Sequence, residues 1–115
     1  MIFEVATIDV KEGQEADFER GVVEALPIFR RAQGCHSIKL ERSLETPSRY
    51  HLVVGWGTIE DHIDRFRNSG DFQLWRSLVG QTFSRPPLVE HTTVILDGFE
   101  GELARGAAST QGPSQ

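Results

Sequence analysis

The residues best placed to do chemistry are His62 and Phe66, which lie four positions apart in the segment WGTIEDHIDRF. On a helix they share a face with Ile59 and Ile63, so that an imidazole stands among apolar side chains. Because its unperturbed pKa is about 6.5, an imidazole there can act as a general base at neutral pH. The same spacing is also typical of a half-buried histidine hydrogen-bonded to a neighbour, and the pattern leaves both interpretations open.

A stripe of large apolar side chains follows at helical spacing: Phe72, Trp75, Val79 and Phe83. Trp56, at the end of a predicted strand, is expected to meet the start of this stripe. Stripes of this kind commonly pack in a core, and the same residue types line pockets for flat ligands. The residue types alone do not distinguish a packed core from a ligand pocket.

Glu90 and His91 are neighbours on a predicted strand, so their side chains take opposite faces. One of them must face the helices. His91 in that position can hydrogen-bond a ligand, or it can be a strand histidine satisfied within the protein. Arg67 and Arg76 are interpreted as solvated helix residues.

Metal and nucleophile chemistry has little support in the sequence. The four histidines are scattered, and no H-x-x-x-H or C-x-x-C pair occurs, so we predict no metal site. Cys35 is expected to be an ordinary thiol. Glycine-rich phosphate loops and the G-x-S-x-G motif are also lacking, which argues against a nucleotide cofactor and a hydrolase triad.

Hydrophobic periodicity predicts the element order βαββαβ. The predicted strands are Ile2 to Val10, His36 to Ser43, Tyr50 to Gly57 and Leu88 to Leu96. The first helix starts after Gln14 and contains Pro27, where we expect a kink or a looser last turn.

The second helix is expected to come in two pieces. Thr58 and Asp61 form a box-like cap, so that the helix begins near Ile59. Asn68-Ser69-Gly70 breaks it, and Asp71 is the predicted cap of the second piece.

This order folds into a four-stranded antiparallel sheet with both helices on one face. The strands are apolar on both sides, with Phe3 and Val5 opposing Ile2 and Ile8. Since two helices shield only one face, we predict that a second copy covers the other and that the chain is a homodimer.

The length, composition and net charge of the chain limit the class of protein. With 115 residues there is room for one domain, predicted over 1–97, and a loose Gly-, Ala- and Ser-rich tail over 98–115. A net charge of −5 and a pI near 5.3 argue against nucleic acid as a partner. The lone Cys35, the absence of a signal-like N-terminus and the absence of any 18-residue apolar run favour a cytoplasmic protein that does not enter membranes.

Residues 2–96 resemble the antibiotic biosynthesis monooxygenase family of the dimeric α+β barrel group. The segments that carry the resemblance are KEG at 11–13, AQGC at 32–35, WGTIEDH at 56–62, NSGDF at 68–72 and PPLVEH at 86–91. The family places a pocket between the helices and the sheet. Some members oxygenate aromatic polyketides or quinols with O₂, without metal or flavin, and the substrate supplies the electrons.

The resemblance implies a monooxygenase without cofactor that acts on a small aromatic or quinol. His62 would be the base or the partner of the substrate anion, and the implied pocket residues are Trp56, Phe66, Phe72, Trp75, Phe83 and His91. Two alternatives stay open: a dimeric module that binds a small ligand without catalysis, and a structural dimer with a fully packed core.

The chain departs from two groups of relatives at named positions. Haem-degrading relatives carry an Asn, a Trp and a haem-ligating His where this chain has Ala6, Phe66 and Arg76. Arginine stays protonated and cannot ligate iron, so haem degradation is not expected. Polyketide-oxidising relatives favour an Asn and a Trp where this chain has His62 and Phe66.

Overall fold

A computed structural model describes residues 1–101 of the chain. The elements are β1 (Ile2–Asp9), α1 (Glu15–Arg31), β2 (Cys35–Arg42), β3 (Arg49–Trp56), a π-helical segment (Asp61–Phe66), α2 (Gly70–Val79), a 3₁₀ turn (Gly80–Thr82) and β4 (Leu88–Thr92). The strands form one antiparallel sheet in the order β2-β3-β1-β4. The predicted βαββαβ order with a four-stranded antiparallel sheet is confirmed, and it is a ferredoxin-like α+β fold.

Both helices cover the same face of the sheet. Along β1 the buried residues are Glu4, Ala6 and Ile8, while their neighbours on the other face are only partly buried. The helices contribute the side chains that complete the core on this face, namely Phe18, Val22, Ala25, Ile28, Phe29, Trp75 and Val79. Burial of one face is what the period-2 pattern of β1 specifies.

Helix α1 packs closely on α2 through Gly21. A Cβ atom at this position would lie 2.7 Å from the carbonyl oxygen of Leu78, so only glycine allows this approach. Pro27 does not end α1, which continues to Arg31. The carbonyl that Pro27 leaves unbonded belongs to Val23, a residue that is 65% exposed, so water can satisfy it.

The predicted cap of the second helical region is confirmed. The amide of Asp61 donates to Thr58 Oγ1 at 3.2 Å, and the amide of Thr58 donates to Asp61 Oδ2 at 3.1 Å. The cap of α2 was predicted wrongly, because Ser69 Oγ accepts the amide of Phe72. Asp71 instead binds the Arg31 guanidinium through two contacts of 2.8 Å.

Strand β4 ends at Thr92, four residues earlier than predicted. Its pairing with β1 stops where Thr92 lies opposite Phe3. Beyond that point Thr93 bonds through its side chain instead, with Oγ1 donating to the carbonyl of Met1 at 3.3 Å. The predicted tail lies outside the described residues from position 102 onward. Among the helices that the structure describes, none is both long and apolar enough to cross a bilayer.

Candidate active site

Three elements bring Glu4, His62 and His91 together beneath the helices. Glu4 is in phase with the buried residues of β1, and His91 lies directly opposite Glu4 in the β1–β4 register. His62 comes from the π-helical segment, in which the amide of Arg67 donates to the carbonyl of His62 five residues earlier, at 3.0 Å. Single π-helical turns are frequent at functional sites.

These side chains form a chain of polar contacts that begins at Trp56. Nε1 of Trp56 donates to Oε1 of Glu4 at 3.0 Å, and Nε2 of His62 lies 3.3 Å from the same oxygen. On the other side of the ring, Nδ1 of His62 lies 2.9 Å from Nε2 of His91. One of these two imidazoles therefore donates and the other accepts.

Trp56 also fixes the plane of the His62 ring. The two rings are nearly parallel, with an interplanar angle of 14° and centroids 5.4 Å apart. Phe66 contacts the same indole at a centroid distance of 5.4 Å. His62 is thus held from below by an aromatic layer and at both ring nitrogens by polar groups.

A cavity of about 370 Å³ opens beside Glu4 and His62, between the sheet and α2. Its walls are mainly apolar and include the aromatic residues Phe72, Trp75 and Phe83. Pro86 and Pro87 border it before β4 begins. Its volume lies at the small end of the range for small-molecule sites, roughly 300–1,000 Å³.

Burial shifts the three ionisable groups toward their neutral forms. Desolvation raises the pKa of Glu4, although the Trp56 hydrogen bond and the charge of Arg67 oppose the shift. Desolvation, with Arg67 and His91 adding to it, lowers the pKa of His62 to about 4. The pKa of His91 is also lowered, by desolvation and by Arg67. Both imidazoles are therefore neutral at pH 7.

The residues selected from sequence are distributed over two layers. His62, Phe72, Trp75 and Phe83 border the cavity. Trp56 and Phe66 lie one layer behind it because they pack under His62 and against Phe29.

His91 contacts His62 rather than the cavity wall. Ile59, which was expected to share the apolar face of His62, is 37% exposed. The wider π-helical turn changes which residues share a face, and the sequence gives no sign of it.

Sequence reasoning missed Glu4 and did not place the two arginines at a cavity. Glu4 carries a signal that could have identified it: an acid in phase with Ala6 and Ile8 on a strand whose alternate residues are buried. Arg67 and Arg76 are exposed, as the sequence interpretation expected, and both also border the cavity. Within residues 1–101, neither arginine has a carboxylate within salt-bridge distance.

The carboxyl and the two imidazoles do not converge on one point. His62 presents one ring nitrogen to Glu4 and the other to His91, whereas chelation of a metal ion requires ligand atoms directed at a common centre. Over the part of the chain that the structure describes, no group of three potential ligands is arranged to hold a metal ion.

The fold and the site define a ferredoxin-like α+β domain with an aromatic-walled cavity beside a buried carboxyl–imidazole chain. The sequence profile of the antibiotic biosynthesis monooxygenase family matches residues 1–78. The chain belongs to this family, as its sequence suggested.

Two similar proteins match most of the chain. YczJ of Bacillus subtilis (strain 168), an uncharacterised protein, is 36% identical over 91 residues, which cover 79% of this chain and 96% of YczJ. A solved structure from Bordetella bronchiseptica, assigned to the antibiotic biosynthesis monooxygenases, is 54% identical with a TM-score of 0.82 over 83% of this chain and 97% of that one.

A more distant structure shares the fold. SnoaB, a cofactor-independent oxygenase from Streptomyces nogalater, solved as a single-residue variant, is 16% identical with a TM-score of 0.71. The match covers 84% of this chain and 94% of SnoaB.

Proposed function

We propose that this protein is a cofactor-independent monooxygenase that oxidises a small aromatic, polyketide-like or quinol substrate with O₂. One observation carries the proposal: the cavity with walls of Phe72, Trp75 and Phe83 ends at the buried pair Glu4 and His62. An apolar chamber holds a flat ring, and a proton acceptor at its end can turn that ring into an electron-rich anion.

The chemistry needs no electron source other than the substrate. In anthrone, a tricyclic ketone that serves as a probe, loss of a proton from the CH₂ group gives an enolate that can reduce O₂. A C–O bond forms at that carbon, and the resulting peroxide loses water to leave a carbonyl group. One oxygen atom stays in anthraquinone and the other leaves as water, so atoms and electrons balance.

The protein's contribution is to lower the cost of forming the substrate anion. Exclusion of water strengthens every electrostatic interaction in the cavity. Arg67 and Arg76, which border the cavity, place positive charge near the developing anion. His62, neutral at pH 7, is the proposed base or anion partner together with Glu4.

Oxygen uptake tests the proposal. Purified protein is mixed with anthrone and with a panel of hydroquinones, and O₂ consumption is compared with the protein-free rate. We expect catalysed uptake that falls at least about tenfold in His62→Ala, as is typical on loss of a general base. His36→Ala, a change at an exposed histidine on β2, is the matched control. Uptake equal to the protein-free rate with every compound rules out the monooxygenase.

One observation favours the alternative of a binding module without catalysis. Among the described residues, no fully buried side-chain nitrogen or oxygen lacks a hydrogen-bond partner, so the polar chain is stable without a substrate. A binding module would quench Trp75 fluorescence with 1,4-naphthoquinone, yet would consume no O₂. Oxygen consumption in the presence of a bound ligand therefore distinguishes the monooxygenase from the binding module.

We also propose that the protein is a cytoplasmic homodimer formed through the open face of the sheet. That face carries Phe3, Val5 and Val53, and Leu88 beside them is 70% exposed. An apolar group of this kind in the centre of a sheet favours a protein partner.

Sedimentation at micromolar concentration tests the assembly. We expect a dimer mass for the wild type and a monomer mass for Val5→Lys, since Val5 lies on a central strand of that face. Lys39→Gln, on the same face of edge strand β2, should leave the dimer intact. A monomeric wild type contradicts the proposal.

A further inference from the structure

Both ring nitrogens of His62 are engaged inside the protein. Nε2 faces Oε1 of Glu4 at 3.3 Å, and Nδ1 faces Nε2 of His91 at 2.9 Å. The ring is 2% exposed and stacked on Trp56. A substrate in the cavity can therefore reach a nitrogen of His62 only by displacing one of these partners.

Glu4 differs in this respect. Its Oε1 accepts from Trp56 and faces His62, while no hydrogen bond from the described residues reaches its Oε2. Since no fully buried side-chain oxygen there lacks a partner, Oε2 must reach open space. Glu4 borders the cavity, from which we infer that Oε2 opens into it.

We propose that Glu4 is the catalytic residue that takes the proton from the substrate, and that His62 is a positioning residue that passes the proton on to His91. The proposal rests on the proposed function and names the reacting group within it. Of the carboxyl oxygens of Glu4 and the ring nitrogens of His62, Oε2 of Glu4 alone has no hydrogen-bond or ion-pair contact with another described residue.

The proton transfer balances as follows. A C–H or O–H bond of the substrate breaks, its electron pair stays on the substrate as an enolate or phenolate, and an O–H bond forms at Glu4. The carboxyl group must then rotate, so that the protonated oxygen takes the place of Oε1 opposite Nε2 of His62. As Nε2 receives this proton, Nδ1 gives its own to Nε2 of His91. The ring never has to hold two protons, which agrees with a pKa of about 4. His91 is only half-buried and can release the proton to water.

The groups that face Glu4 are consistent with this role. His62, His91 and Arg67 lie on the helix-covered side of the sheet. Cys35 on β2 is near enough that the charge of Glu4 adds to the desolvation that raises the pKa of its thiol. Burial raises the pKa of the Glu4 carboxyl, which makes its carboxylate a stronger base than one in water.

Hydrogen exchange into anthrone tests the role of Glu4 without any oxidation. Under anaerobic conditions in D₂O, the protein should replace the CH₂ hydrogens of anthrone with deuterium faster than buffer does, as followed by NMR. Glu4→Gln keeps an oxygen for the Trp56 hydrogen bond but loses the base, and we expect exchange to fall at least about 100-fold. Glu4→Asp should recover part of it.

Chemical rescue tests the relay. His91→Ala should slow exchange about tenfold, and added imidazole should restore it, because a small base can then remove the proton. A purely structural role for His91 gives no dependence on imidazole. Glu4→Gln should not respond to imidazole.

Three results overturn the proposal: wild-type exchange no faster than buffer, full exchange in Glu4→Gln, or an His91→Ala variant insensitive to imidazole. If Glu4→Gln does not fold, the proposal is tested by the imidazole rescue of His91→Ala and by the exchange rate of Glu4→Asp. Because exchange does not involve O₂, exchange without oxygen uptake would reject the monooxygenase and keep Glu4 as the base.

Discussion

Glu4 on β1 and His91 on β4 lie directly opposite each other in the sheet, and both side chains point to the helix-covered face. The ring of His62 spans the gap between them, with contacts of 3.3 and 2.9 Å. The candidate site therefore depends on the register of an edge strand as well as on the helices. A slip of one residue would turn His91 to the opposite face.

The buried His62 should make stability depend on pH. Its pKa is about 4 in the folded protein and about 6.5 in the unfolded chain, so only the unfolded chain gains a proton between these values. The contribution of His62 to the free energy of unfolding is constant well above pH 6.5. It decreases as the pH falls, and at pH 4 it is smaller by on the order of 3 kcal/mol.

Glu4 acts in the opposite direction, because its raised pKa favours the folded state at low pH. The measurement is therefore the difference in urea-unfolding free energy between wild type and His62→Gln, in which Glu4 is retained. We expect this difference to shrink from pH 7 to pH 4. A pH-independent difference would show that His62 titrates normally in the folded protein.

Arg67 should add to the effect of desolvation on the protonation of both imidazoles. Its charge lowers the pKa of His62 and of His91. In Arg67→Met we expect the pKa of His91 to rise toward 6.5, as measured by NMR titration of the ring protons, while Arg67→Lys keeps the charge and serves as the control. An unchanged pKa in Arg67→Met would contradict this electrostatic role.

Gly21 should be essential for packing of the two helices. The Cβ atom of Gly21→Ala would meet the carbonyl oxygen of Leu78 at 2.7 Å, so the helices must separate. We expect a loss of about 1–3 kcal/mol in the free energy of unfolding. Gly70→Ala is the matched control at the start of α2, since a Cβ there meets nothing within 4 Å. Equal stability of the two variants would contradict the close contact.

Val89 should set access to the cavity. It borders the cavity from β4 and is 38% exposed, so a larger side chain narrows the entrance without loss of core packing. For Val89→Phe we expect at least about tenfold weaker binding of 1,4-naphthoquinone by calorimetry, a steric loss of roughly 1.4 kcal/mol. Val94→Phe, at an exposed position beyond β4, should bind as the wild type does. Unchanged binding in Val89→Phe would place the ligand elsewhere.

The parts of the fold that depend on local pattern were predictable from sequence. The period-2 burial of β1 and the cap formed by Thr58 and Asp61 follow from side-chain chemistry at short range. The start of α2 was less predictable, because Ser69 and Asp71 are both residue types that cap helices. In the structure Asp71 is paired with Arg31, and Ser69 is the cap.

The site itself was predictable only in part. Periodicity was enough to select His62 and Trp75, whereas the contact of His62 with His91 depends on a β1–β4 register that no local pattern specifies. The π-helical turn is a similar case, since its sequence fits an α-helix equally well. Glu4 was missed because an acid on a strand is usually solvated, and its burial shows only when three elements come together.

Isotope labelling tests the proposed chemistry most directly. Anthrone is oxidised by the metal-free protein under ¹⁸O₂ in unlabelled water, and the anthraquinone is analysed by mass spectrometry, with a protein-free sample as the background. We expect the protein to accelerate formation of anthraquinone that carries one ¹⁸O atom, and Glu4→Gln and His62→Ala to lose this acceleration. No acceleration over the background, or a product oxygen derived from water, would contradict a monooxygenase.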